Sequence, residues 1–160
     1  MMNAWPANPG GGEIPGPART PCITEIRLSC APELDGLPGR DVLAEISYRF
    51  LLNSEKNCAT KNLLDVWDMK AVVALSPPAA DRKTWKPLGI VGYPQCMADV
   101  CPGYDTITGF VLLPSREVGI RVRTQLTGGN CRDEQQEEIR TLGERGPTTL
   151  AAKHLRCVKW

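Results

Sequence analysis

Cysteine and histidine carry most of the chemistry that this chain offers. Cys96 and Cys101 stand five positions apart in CMADVC, and His154 precedes Cys157 by three in HLRC. Thiolate sulfur and imidazole nitrogen are common zinc ligands, and zinc takes four of them in a tetrahedron, often as two close pairs brought together. Cys96, Cys101, His154 and Cys157 supply two such pairs, each short enough to reach one ion. The expectation is no cofactor, with structural zinc on these four residues as the alternative. The spacings differ from the commoner finger patterns, and a long stretch of chain separates the pairs. The same residues have plainer readings. Cys96 and Cys101 flank a Pro-Gly turn as halves of disulfides, and Cys157 is a core thiol. A nucleophilic Cys–His pair requires the imidazole within hydrogen-bond reach of the thiol. Sequence does not set that distance, so no catalytic residue is assigned.

Other chemical signatures are missing. There is no GxGxxG, P-loop, GxSxG or HExxH. Asp65, Asp68, Asp99 and Asp105 lack the spacing of a calcium loop. Gly10 to Gly12 form a triplet in a Pro-rich stretch with no strand or helix beside it, so they do not make a phosphate cradle. No small-molecule ligand is indicated.

The bulk properties narrow the classes further. The chain has 160 residues, enough for one domain with a real core. Nineteen basic residues meet eighteen acidic ones, a net charge of +1, which lacks the electrostatic signal of a general nucleic-acid binder. No apolar run is long enough for a membrane span. The first twenty residues have no basic start and no continuous apolar stretch, so they do not read as a signal peptide. Seven cysteines are an odd number, so one thiol stays free or pairs between chains. Reduced thiols and partial disulfide pairing both fit, with a virion or extracellular surface favoured over the cytoplasm.

Fifteen glycines and fourteen prolines favour turns and short elements over long helices. Residues 1–20 read as an extended Pro/Gly-rich arm, and residues 21–160 as one β-sandwich domain. In CITEIRLSC, Cys22, Thr24, Ile26, Leu28 and Cys30 share one parity, the pattern of a half-buried strand with both cysteines on one face. They lie about 26 Å apart in a straight strand, too far to bond to each other. DVLAEISYRFLLN puts Val42, Ala44, Ile46, Tyr48, Phe50 and Leu52 on one face. A strand is expected from about Trp67, after a short helical stretch. REVGIRVRTQL alternates most cleanly, with Val118, Ile120, Val122, Thr124 and Leu126 against Glu117, Arg121, Arg123 and Gln125. RDEQQEEIRTLGERGP is polar and reads as an exposed short helix or a loop. These segments predict roughly six to eight strands and an all-β sandwich, jelly-roll or immunoglobulin-like, with one short helix.

Large aromatics outside a core are typical interface anchors. Trp5 falls in the arm, Trp85 in a proline-bracketed loop and Trp160 at the C-terminus, so these three, with Arg121 and Arg123, are the candidate interface residues. The two arginines share a polar strand face that suits an acidic partner or phosphate, or simply a solvated surface. An arm ahead of a compact β-domain with short loops resembles, in layout, small viral coat subunits, although the arm lacks the basic cluster such arms use on RNA. The resemblance implies a non-enzymatic structural subunit that docks onto copies of itself or a larger protein assembly. Two alternatives stand beside it: a secreted or surface protein-binding module held by disulfides, and a zinc- or thiol-dependent protein.

Overall fold

The computed structural model describes residues 21–51, 66–97, 100–128, 130–143 and 146–159. The arm, Trp5, Trp160 and the expected short helix before Trp67 lie outside these residues. Nine strands follow in order: β1 (Pro21–Cys30), β2 (Val42–Leu51), β3 (Val66–Ser76), β4 (Lys86–Gly92), β5 (Pro94–Met97), β6 (Val100–Leu112), β7 (Val118–Gly128), β8 (Cys131–Gly143) and β9 (Gly146–Val158). They form two antiparallel sheets, β1-β2-β3-β4 and β5-β6-β7-β8-β9, one of them curled into a half-barrel. The protein is all-β and sandwich-like. No helix occurs among the described residues, so none there is long and apolar enough to cross a membrane.

Both sheets run in chain order without a crossover. This corrects the jelly-roll and immunoglobulin expectation, since those topologies need Greek-key connections. Alternation identifies strands but not their connectivity, and short links favour pairing between consecutive strands. The chain passes from the first sheet to the second through Tyr93, the single residue between β4 and β5.

The first sheet carries apolar residues on both faces. Toward the second sheet, Leu43, Val72, Ala74 and Val91 meet Ile120 and Val122 of β7, and Ala31 and Leu34 of the β1–β2 loop close one end. Ile120, Val122, Ala74 and Val91 have no exposed surface. Asp41 holds that loop in place, accepting from the Leu34 N–H at 2.7 Å through its carboxylate and from the Ala31 N–H at 2.9 Å through its carbonyl. Gly36, at φ +75°, supplies the left-handed residue that the loop requires. On the opposite face, Tyr48, Met69 and Ala71 form a separate small cluster with Ile46. Ile46 and Tyr48 of β2 thus point away from the sandwich interior, and Leu43 points into it.

Two readings need correction. The segment expected as a short helix or loop is β8, a thirteen-residue strand between β7 and β9. Its polarity hid it, because Gln136, Glu138 and Arg140 share the face of their β7 partners Thr124, Val122 and Ile120, in the same single-parity run as Glu134. β1 is also not half-buried: every residue from Ile23 to Cys30 is exposed. A bulge between Ile23 and Glu25 shifts its register, so Cys22 lies opposite Arg49 and Cys30 opposite Val42. An odd and an even β2 partner put the two cysteines on opposite faces.

Candidate functional site

The densest polar chemistry lies where the chain changes sheets. Arg140 on β8 donates from Nη1 to Asp105 Oδ2 at 2.6 Å and to the Val91 carbonyl at 2.8 Å. Its Nη2 and Nε donate to Glu138 Oε2 at 2.7 and 2.9 Å. Asp105 on β6 also accepts from the Tyr93 N–H at 3.0 Å, Gln95 Nε2 at 2.8 Å and Thr124 Oγ1 at 2.8 Å. The Asp105 side chain is fully buried and that of Arg140 nearly so. Burial alone would pull the Arg140 guanidinium down. The charges and hydrogen bonds of Asp105 and Glu138 outweigh it and hold Arg140 above its ordinary value. Arg140 also lies over the Tyr93 ring, 5.6 Å from its centroid. One cation and one carboxylate thus tie β4, Tyr93, β5, β6, β7 and β8 together. Their hydrogen-bonding groups are spent on internal partners, which suits architecture.

Farther along the same sheet, His154 on β9 lies 3.1 Å from Glu134 Oε1 through Nδ1, and 3.4 Å from Gln136 Nε2 through Nε2. The neutral Nδ1–H tautomer satisfies both contacts. Nearby, Cys131 and Cys157 form a disulfide that joins the ends of the β8–β9 hairpin. Cys157 is therefore an exposed half-cystine rather than a core thiol, and a zinc set that includes it requires this bond to be reduced. Cys96 lies on β5 and Cys101 on β6, at one edge of the five-stranded sheet, whereas His154 and Cys157 lie on β9 at the other. Among the described residues no group of three or more ligating side chains gathers. Cys22 is disulfide-bonded, and Cys30 is free and exposed.

A cleft of about 780 Å³ opens between the β1–β2 loop, the start of β4, the β6–β7 turn and the end of β8. Its charges are mixed: Glu33, Asp35 and Glu117 against Lys86 and Arg116. Asp35 Oδ1 accepts from the Leu37 N–H at 3.0 Å, while Oδ2 is buried without a partner. Arg116 closes the β6–β7 turn with φ +66°.

Trp85 is exposed at the end of a loop ordered by Arg82, whose Nη2 donates to the Pro77 carbonyl at 2.7 Å and whose Nε donates to that of Thr84 at 3.0 Å. Arg121 and Arg123 are exposed on β7, opposite Ile139 and Glu137 of β8.

The largest exposed features are two of the edge strands, β1 and β9. The contacts between the sheets run from β3 and β4, so β1 stands beyond the sandwich. Every residue of β9 from Thr148 to Cys157 is exposed, matching β1. Ile23, Ile26 and Leu28 on one edge, and Leu150 and Leu155 on the other, present apolar side chains to solvent. A strand bonded on one side only offers a row of backbone donors and acceptors to another chain. Sequence reading missed both edges and the Asp105–Arg140 pair. For the pair, the available signal was the single-parity run Glu134, Gln136, Glu138 and Arg140. No family model, curated protein or solved structure matches the chain.

Proposed function

We propose that this protein is a non-enzymatic structural subunit that docks onto copies of itself, or onto a larger protein assembly, through its exposed edge strands. One observation carries this reading: β1 and β9 are long edge strands exposed on both faces and studded with apolar residues. Natural sheets usually blunt such edges with charge, proline, bulges or a covering element; β1 and β9 carry bulges and charged residues, yet Ile23, Ile26, Leu28, Leu150 and Leu155 stay exposed along them, and an open edge recruits another strand. Trp85 fits the same role as a loop anchor, and the arm with Trp5 and Trp160 completes the docking set. The buried ion pair supports it indirectly, since it secures the scaffold that presents the edges.

A second reading has its own support. The Cys131–Cys157 bond and the bonded state of Cys22 suit an oxidising location, where a disulfide-held module binds a different protein. Light scattering on the full chain, followed over a concentration series, separates the two. Mass above one chain at micromolar concentration supports self-assembly. A monomer at every concentration overturns self-association and leaves the module reading.

A further inference from the structure

We infer that two copies join β1 to β1 in antiparallel fashion about a two-fold axis through Ile26, making one continuous eight-stranded sheet. This rests on the assembly reading above and specifies its partner as a second copy. Antiparallel pairing of identical strands places residues equidistant from the axis opposite one another. With the axis at Ile26, Glu25 faces the partner's Arg27, and Arg27 faces the partner's Glu25. Ile26 faces its own copy.

The faces agree with this register. Ile26 lies opposite Ile46, which lies opposite Ala71, so the apolar row Ala71, Ile46, Ile26 would continue into its mirror sequence in the second copy. Glu25 and Arg27 lie opposite Ser47 and Glu45 on the other face. Within one chain, Arg27 Nε already meets Glu25 Oε1 at 2.8 Å, with both side chains about half exposed or more. A partner's carboxylate would join from the open side.

Neighbouring registers fare worse. An axis at Glu25 or Arg27 puts like charges directly opposite, which destabilises a cross-strand pair. An axis between residues 25 and 26, or between 26 and 27, sets a charged side chain against isoleucine. An axis at Leu28 sets Arg27 against Ser29 and loses both ion pairs. Only the Ile26 axis matches apolar with apolar and acid with base.

The register also makes a prediction about the free thiol. Cys30 lies four residues from the axis, so the two Cys30 residues would be about 27 Å apart and could not bond.

Sedimentation equilibrium on the full chain tests the inference, with circular dichroism to show that each variant folds. The wild type is expected to form a dimer. Arg27→Glu, which sets acid against acid, should weaken it about tenfold or more. The charge swap E25R/R27E should restore affinity to near the wild-type value. Association that ignores Arg27→Glu, or that the swap does not restore, overturns the Ile26 register while leaving assembly intact. Covalent dimers of unmodified chain linked through Cys30 overturn it as well. A wild type that stays monomeric overturns both the register and the self-assembly on which it rests.

Discussion

Asp105 and Arg140 sit on the two strands that flank β7, and their side chains meet 2.6 Å apart on its inner face, below water's reach. Thirty-five positions separate them in the chain. Their contact therefore records how β6, β7 and β8 lie side by side. Through Val91 and Tyr93 it also records where the chain leaves the first sheet.

Removing Asp105 should be costly. Asp105→Ala strands the Arg140 cation and leaves the Tyr93 N–H, the Gln95 amide and the Thr124 hydroxyl without their acceptor. Breaking a buried pair in this way costs about 3–5 kcal/mol. Asp105→Asn keeps one acceptor but turns an NH₂ toward donors, so a smaller loss of about 1–3 kcal/mol is expected. Urea unfolding monitored by tryptophan fluorescence should rank the two variants in that order.

The Cys131–Cys157 bond spans 26 positions. Closing a loop of that size restrains the unfolded chain by about 3.5 kcal/mol on the chain-entropy model. The double variant C131A/C157A should therefore melt well below the parent. Alkylation of the native protein before reduction, read by mass spectrometry, should mark Cys30 and spare Cys22, Cys131 and Cys157.

Among the described glycines, Gly103 lies closest to a neighbouring strand's backbone. A β-carbon built there would lie very close to the Gln125 carbonyl oxygen, a backbone atom that cannot rotate away. Gly103→Ala should force β6 from β7 and cost about 1–3 kcal/mol, the usual range for overpacking. A melting temperature equal to the parent's would show that the two strands part easily at this point.

Arg116 sits at the last position of the three-residue β6–β7 turn with φ +66°, where its N–H donates to the Leu113 carbonyl at 2.9 Å. A side chain in that conformation costs about 1 kcal/mol relative to glycine. Arg116→Gly should raise stability by up to about 1 kcal/mol, less whatever glycine adds to unfolded-chain entropy. Paired urea titrations of parent and variant decide the sign.

Parts of this fold were legible because local pattern and final environment agree. In β7, Ile120, Val122 and Thr124 are buried, while Arg121, Arg123 and Gln125 face solvent, as strict alternation requires. β8 defeated the same reading because its inward face carries acids, amides and an arginine whose main partner comes from β6. Polar residues tolerate burial only with partners, and a partner thirty-five residues away leaves no local trace. β1 misled for a different reason. Its alternation is real, yet one extra residue at the bulge reverses the faces, and the sheet behind it ends before covering it. Cysteine spacing likewise showed two close pairs, while the bond that Cys157 makes is with Cys131, across a hairpin that the polar β8 segment concealed.

Leu150 and Leu155 on β9 separate the needs of folding from those of assembly. Both are exposed, at 55% and 41%, so neither gains much from burial within one chain. Lysine at such a position is a common means of blunting a sheet edge. L150K and L155K should each shift the urea midpoint by no more than about 0.5 kcal/mol of stability. If β9 offers its edge to another chain, the same substitutions should lower the mass seen by light scattering at high concentration, with the double variant lowering it most. A drop in the urea midpoint with unchanged mass would instead assign these leucines to the packing of the single chain, leaving β1 as the edge that docks.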